Sequence, residues 1–496
     1  MLEHLKEACG VFGARDFEDG PVFPYLYWGL RSQNHRGHQS HGFLTFDGKF
    51  HAYSGLDLVP KIKSKEIQEW VKKLPGYVGV GNVRYTTSGR TDEESLMKST
   101  QPLLEKTEEA EIAISFNGNI VNNSKIGREI VEKIPSFSYS YDAELISKRL
   151  LAKLTEGGDL ASSVESCMKE LEGAFSVAGT TQKGELFAFK DPLGIRPLCC
   201  GYSEDRKIRA VSSETVGLDI NGFKFDFEIE PGELVIASED GFVREQLVKR
   251  EKRALCAFEF AYFARPDSRL GDKFVYEVRE EFGRNLGREY TETARNTDII
   301  LSMPETGDDA AFGLHEQTGK RWERASRRHR YVTERAFILL PEERYTTIDR
   351  KINIIDHKID GKNVAVTDDS IVRGDTTKVV VNKLRKMGAK KVYLFITFPK
   401  IIGPCFYGVD MATYGELIGS RYEVEEIAEI VGADAVNYQS VNGLVKATGL
   451  SRDELCLGCV TGKYPTPLAQ KMADEMKEKF EKGHKETGRI YEVAVH

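Results

Sequence analysis

Near Arg250 the pattern of this chain changes, and that break limits the fold more than any single motif does. Before it, from Cys9 to about Val235, apolar runs such as YVGVGNVRYTTSG, EIAISFNGNIVN and GAFSVAGTT are punctuated by glycine. Runs of this kind read as strands ending in tight turns. Two stretches with apolar residues at helical spacing, EIVEKI and AELISKRLLAKLTE, interrupt them. After PGELVIASEDGFV and the charged connector REQLVKREKR, the segments DIILSMPETG, GKNVAVTDDSIVRGD, TKVVVNKLRKMGA and KKVYLFITF alternate strand, loop and helix. That alternation marks βαβ units in a parallel sheet. The expected fold class is therefore layered α+β in the first half and α/β, a doubly wound parallel sheet, in the second. A chain of 496 residues exceeds what one hydrophobic core ordinarily serves, and two units of roughly 200 to 250 residues agree with the break. The end, PLAQKMADEMKEKFEKGHKE, is predicted to be a charged, solvated helix without chemistry.

A net charge of -7 argues against a broad nucleic-acid surface but leaves room for a local basic pocket that takes a phosphorylated metabolite. No apolar run approaches the ~18 residues of a membrane span. The N-terminus MLEHLKEACGVFG lacks the apolar stretch and cleavage site of a secretory signal. A cytoplasmic protein with no membrane and no nucleic-acid partner is expected. The eight cysteines, Cys9, Cys167, Cys199, Cys200, Cys256, Cys405, Cys456 and Cys459, are too sparse for a secreted disulfide scaffold.

Cys9 precedes Gly-Val-Phe-Gly. A free cysteine often packs as a small hydrophobe. As a nucleophile it needs a base, and the α-amino group of a chain beginning with cysteine supplies one, with an ordinary pKa of about 7.7 to 8.0. Removal of residues 1–8, Met1 to Ala8, as a propeptide would create that pair.

The segments QNHRGHQSHG, GNVRYTTSG, FNGNIVNN and YDAELI follow in that order. The series resembles the Ntn-type glutamine amidotransferase domain over nearly all of residues 9–235. The resemblance implies a four-layer αββα Ntn-hydrolase fold in which Cys9 attacks the side-chain amide of glutamine. It implies that Arg84 binds the α-carboxylate, a task suited to the flat guanidinium fork, and that Asp142 binds the α-ammonium. Asn117 and the backbone N–H of Gly118 would form the oxyanion hole, although Asn-Gly is also a common hairpin turn. Arg36 and Gly37 match the substrate-loop motif for glutamine. Asn82, Thr86 and Ala143 depart from the usual His, Ser and small polar residue, and none of these changes removes a catalytic group.

VAVTDDSIVRGDTT is an apolar strand running into paired acids, a Gly/Ser/Thr loop and a helix, which suits either a phosphate cradle or a capped surface turn. With ARPDSRL at 264–270, CFYGVDMAT at 405–413 and CLGCVTGKYPT at 456–466, the chain resembles the glutamine phosphoribosylpyrophosphate amidotransferase family, in its iron-sulfur branch, over roughly residues 9–466. The second half is then a type I phosphoribosyltransferase fold. The resemblance implies that Asp368 and Asp369 hold ribose hydroxyls or, with Thr306, the Mg2+ shell. Ser370, Arg373, Gly374 and Thr376 would hold the 5′-phosphate. It also implies a [4Fe-4S] cluster on Cys256, Cys405, Cys456 and Cys459, as a staple between the domains. A zinc site of four thiolates or buried free thiols would suit the C-x-x-C equally well by pattern. The implied limits are a propeptide at 1–8, a glutaminase domain at 9–250, a phosphoribosyltransferase-like domain at 251–470 and a charged C-terminal helix at 471–496. A homotetramer is implied by resemblance alone.

The acceptor half has gained acids. Pro304, Glu305, Thr306 and Gly307 are followed by Asp308 and Asp309; Glu334 falls where an arginine is usual, with Arg335 one residue away; and Asp375 replaces a threonine of the phosphate loop. A carboxylate against phosphate is unfavourable by Coulomb repulsion, unless Asp375 caps the helix behind it. Three readings follow. The chain is a transferase making 5-phosphoribosylamine from glutamine and phosphoribosylpyrophosphate, the first step of purine synthesis; or a glutaminase giving ammonia to another acceptor; or a non-catalytic, cluster-bearing regulatory subunit.

Overall fold

Along the strand Gly10–Asp16, Val11 faces a core between two sheets while Phe12 and Ala14 face a core beneath helices. Both faces are buried because a second sheet covers one and a helical layer the other. The computed structural model describes residues 9–85, 93–133, 139, 141–249, 252–329, 352–484 and 486. Residues 1–8, Thr86, Glu334 and Arg335 lie outside the described residues.

The strand Gly10–Asp16 sits at the centre of a seven-stranded antiparallel sheet, between Ile208–Ser212 and Val78–Arg84. A six-stranded antiparallel sheet packs against it, with Glu111–Ile120 and Gly173–Thr181 as neighbours. Phe23–Ser32 lies outside the first sheet, where Phe23, Leu26 and Leu30 meet Phe12 and Phe43. Asp142–Thr155 and Leu160–Glu170 lie outside the second, on Ile112, Ile114, Phe175 and Val177. The layers therefore run αββα, as the resemblance to the Ntn-type glutamine amidotransferase domain implies.

The second unit holds a five-stranded parallel sheet in the order Arg321–Trp322, Ile299–Ser302, Asn363–Asp368, Lys391–Ile396, Ala435–Tyr438. Alternation again assigns the faces. Ile300, Ala365 and Phe395 pack toward Val275–Glu289 and Asp308–Thr318. Leu301, Val366 and Leu394 pack toward Asp375–Lys386 and Val424–Val431. The sheet is doubly wound.

Between the units lies one shared apolar core, built from 254–264, 398–417 and 455–473 with Val121, Ala174, Leu193 and Ile195 of the first unit. Leu255–Cys256 pairs in parallel with Leu455–Cys456, setting Cys256 opposite Cys456. Next comes the π-helix Glu259–Phe263, wholly buried. Its carbonyls need partners in a dry setting, and Arg279 donates to Phe260 O at 2.9 Å and Tyr262 O at 3.3 Å, and to Ala264 O just past the helix at 2.7 Å. The final helix, Pro467–Glu481, is not solvated all round. Leu468, Ala469, Met472, Ala473 and Met476 recur at helical spacing and pack on the shared core.

Candidate active sites

Cys9 stands immediately before the central strand, so the sheet delivers it to the edge where Arg84 closes the neighbouring strand. Its thiol is partly exposed and donates to the Tyr85 carbonyl at 3.6 Å. A narrow cavity there is lined by Cys9, Arg84, Gly118, Asn119, Tyr141 and Asp142. The sheet order explains the meeting: Gly118 comes from the facing sheet, and Asp142 opens the helix that covers it.

Each lining group is fixed. Arg84 is buried, donates to the Ser99 carbonyl and lies 5.4 Å over the Tyr141 ring. Burial lowers its pKa, against the opposing pull of Cys9, Tyr141 and Asp142. Asp142 accepts from the Ile120 N–H at 2.7 Å and from Asn123 Nδ2 at 2.8 Å. A carboxylate at a helix start is also favoured by the helix dipole. Gly118 has φ +155°, and a Cβ there would lie 1.9 Å from the Ala174 carbonyl oxygen, so no side chain fits. Asn117 is buried, and its Nδ2 has no hydrogen-bond partner among the described residues. A cation, an anion and a thiol thus converge on a cavity that suits an α-amino acid; Asn117 precedes the lining residue Gly118 but does not itself line that cavity.

Arg36, expected to bind glutamine, is buried and does not line the cavity. It donates to Glu214 at 2.6 Å, to both oxygens of Glu259 at 2.8 and 3.0 Å, and to the Cys9 carbonyl at 3.2 Å. Asn82 is buried in the sheet, donating weakly to the Phe116 carbonyl at 3.4 Å. The cavity residues Asn119 and Tyr141 were missed, though both adjoin the motifs that point to Asn117, Gly118 and Asp142.

In the second unit the strand Asn363–Asp368 ends in the paired acids. Asp369 N–H donates to Asp368 Oδ1 at 2.9 Å; Ser370 Oγ and Thr306 Oγ1 each donate to Asp369 at 2.6 Å. Burial, then the Asp369 charge, raises the Asp368 pKa. Gly374, at φ +90°, turns the chain into Asp375–Lys386. Thr376 is buried in the first turn of that helix, and Arg373 pairs with Glu416. The acids largely occupy helix starts. Asp308 and Asp309 open Asp308–Thr318, where Asp308 accepts from Ser302 Oγ at 2.5 Å. Asp375 is the first helical residue; the cap itself is Gly374, not Asp375. Burial, helped by Asp308 and Glu280 and opposed by Arg279, pushes the Asp309 carboxyl up to about 6.

The curated amidophosphoribosyltransferase of Methanocaldococcus jannaschii is 37% identical over 477 residues, covering 93% of this chain and 98% of that protein. The chain belongs to the amidophosphoribosyltransferase family. The Bacillus subtilis amidophosphoribosyltransferase is 34% identical over 95% of this chain and 96% of its own. The glutamine amidotransferase domain family matches residues 90–219. A solved structure of B. subtilis glutamine phosphoribosylpyrophosphate amidotransferase, complexed with ADP and GMP, superposes with a TM-score of 0.82 at 33% identity. It covers 93% of this chain and 98% of that one. The amidophosphoribosyltransferase fold, a glutaminase followed by a phosphoribosyltransferase unit, is thus the fold of this chain.

Cys256, Cys405, Cys456 and Cys459 all join the shared core of this chain. Burial pushes the Cys256 thiol up to about 11 and raises Cys456 and Cys459 as well. Each of these three also feels Cys405, and Cys456 and Cys459 feel Cys256. The Tyr407 N–H donates to Cys405 Sγ at 3.3 Å. Among the described residues no three His, Cys, Asp or Glu are grouped to hold a metal ion. Cys167, Cys199 and Cys200 are buried elsewhere and carry no assigned chemistry.

Proposed function

We propose that the chain makes 5-phosphoribosylamine from glutamine and phosphoribosylpyrophosphate, with Cys9 as the nucleophile of the glutamine half-reaction. The observation that carries this reading is the cavity shared by Cys9, Arg84, Gly118 and Asp142. Arg84 pairs with the α-carboxylate and Asp142 with the α-ammonium, presenting the amide carbon to Cys9 Sγ. Once residues 1–8 are removed, the α-amino group of Cys9 takes the thiol proton. Attack forms a C–S bond and an oxyanion, which Asn117 Nδ2 and the Gly118 N–H receive. The C–N bond breaks, the α-ammonium returns the proton, and ammonia leaves a γ-glutamyl thioester. Water then releases glutamate and restores Cys9. Ammonia passes to the second unit, where it displaces pyrophosphate from the ribosyl carbon.

There Asp368 and Asp369 are set to hold the ribose hydroxyls, while Ser370, Arg373, Gly374 and Thr376 surround the 5′-phosphate. Thr306, Asp368 and Asp369 are the residues that would hold Mg2+, which would supply charge neutralisation for pyrophosphate. Cys256, Cys405, Cys456 and Cys459 would hold a [4Fe-4S] cluster, which would join the segments that carry them; the support is that all four belong to the shared core. Division at Arg250 into glutaminase and phosphoribosyltransferase units accords with this chemistry, as does a tetrameric state. No described helix is long and apolar enough to cross a membrane, which accords with a cytoplasmic setting.

Asp308, Asp309 and Asp375 favour a second reading, in which ammonia goes to an acceptor less anionic than phosphoribosylpyrophosphate. One assay separates the two. Glutamate and pyrophosphate are followed together in anaerobically purified protein, with and without magnesium phosphoribosylpyrophosphate. Matched release of both supports the transferase; glutamate release indifferent to phosphoribosylpyrophosphate, with no pyrophosphate, supports the other acceptor.

A further inference from the structure

Cys9 is held from behind by a charge that originates outside the glutaminase half. Arg36 Nε donates to the Cys9 carbonyl, and the rest of the guanidinium lies flat against Glu259, Nη1 and Nη2 meeting Oε2 and Oε1 at 3.0 and 2.8 Å. Glu259 belongs to the π-helix Glu259–Phe263, past the break at Arg250. Its Oε1 also accepts from Arg196 Nη1 at 3.0 Å. Arg196 in turn grips the Tyr407 carbonyl through Nε at 3.0 Å and Nη2 at 2.7 Å. Glu259 and Arg196 are fully buried, and Arg36 nearly so.

The second acceptor of Arg36, Glu214, is already shared. Its Oε1 also meets His35 Nε2 at 2.7 Å, and its Oε2 takes Arg265 N–H at 2.9 Å and Ser268 Oγ at 2.5 Å. A two-pronged carboxylate fixes the plane of a guanidinium, whereas a single oxygen does not. Without the Glu259 charge, Arg36 would swing on its one bond to Glu214 and draw Nε away from Cys9. A buried guanidinium that loses one counter-charge seeks the other, because an unpaired buried charge is costly.

We infer that Glu259 is a positioning residue for glutamine hydrolysis: it sets the plane of Arg36, and through Arg36 the backbone, thiol and α-amino group of Cys9. The inference rests on Cys9 being the nucleophile. Glu259 lies outside the substrate cavity and acts on the rate through geometry alone.

The test is Glu259→Gln in the full chain, which keeps the size of the side chain and removes its charge. Glutamate release is measured against glutamine concentration, and phosphoribosylamine formation from free ammonia is measured in the same preparation. The expected result is a kcat for glutamine lower by about 100-fold, the cost of a roughly 1 Å misplacement. The KM for glutamine and the ammonia-dependent rate stay near wild type. Glu259→Asp, which restores the charge on a shorter arm, recovers part of kcat. The idea is overturned if Glu259→Gln hydrolyses glutamine at the wild-type rate. It is equally overturned if both activities fall together in both variants, since Glu259 would then be only structural. A Cys9→Ser chain run alongside tells the two failures apart: equal glutamate release from wild type and Cys9→Ser defeats the nucleophile assignment itself.

Discussion

The side-chain amide of Asn119 donates to the backbone carbonyl of Phe406 at 3.2 Å, tying the strand that carries Asn117 and Gly118 to the residue after Cys405. Asn119 and Phe406 are both buried, so the loss of Asn119 removes a hydrogen bond made away from water. Asn119→Ala is expected to cost ~1–3 kcal/mol of stability, read by thermal unfolding, and to slow glutamine hydrolysis because the loop and strand no longer move as one.

Asn117 makes the opposite case. Its Nδ2 bonds to nothing among the described residues, so its removal costs little in the free enzyme. Asn117→Ala should lower kcat for glutamine by about 10²–10³-fold, the usual effect of losing one oxyanion donor. Steady-state kinetics should find the KM for glutamine little changed, and the unfolding temperature should hold.

Asp309 gives a pH signature. Its carboxyl is raised to about 6 in the fold, against about 3.9 in an unfolded chain. The folded state therefore holds this proton more tightly, and stability falls as pH rises from about 4 to about 6, then levels. Above pH 6 the cost is on the order of 3 kcal/mol. Asp309→Asn should raise the unfolding temperature at pH 8 and leave it unchanged near pH 4. Equal effects at both pH values would show that charge is not the cause.

Iron and labile sulfide report on the thiols. Anaerobically prepared protein should carry iron and sulfide in equal amounts, and Cys456→Ser should lose both together with the visible absorption band. One zinc per chain and no sulfide would support the alternative of zinc held by four thiolates.

The order of motifs in the sequence points to Cys9, Arg84 and Asp142, each at or beside a strand end or helix start with a local signature, whereas Asn117 and Gly118 lie inside the strand Glu111–Ile120 rather than in the hairpin turn that Asn-Gly suggests. Gly118 was legible as a glycine, but its reason, the Ala174 carbonyl against it, depends on strand pairing with Gly173–Thr181. The partners of Arg36, Glu214 and Glu259, lie 178 and 223 residues away, beyond any local pattern. The two-residue ladder joining Cys256 to Cys456 is too short to leave a periodic trace. The last helix seemed solvated because its charges outnumber its apolar residues; their spacing, not their number, buries it.

Asn119 and Phe406 are 287 positions apart, and at 5–20 residues per second a ribosome needs roughly 15 to 60 s to make that span. Through most of that interval the nascent first half already carries Cys9, Arg84 and Asp142 while the carbonyl awaiting Asn119 has not been made. The latch closes only after the chain is four-fifths translated, so glutamine cannot meet a fully braced site on a half-made protein with no acceptor for the ammonia.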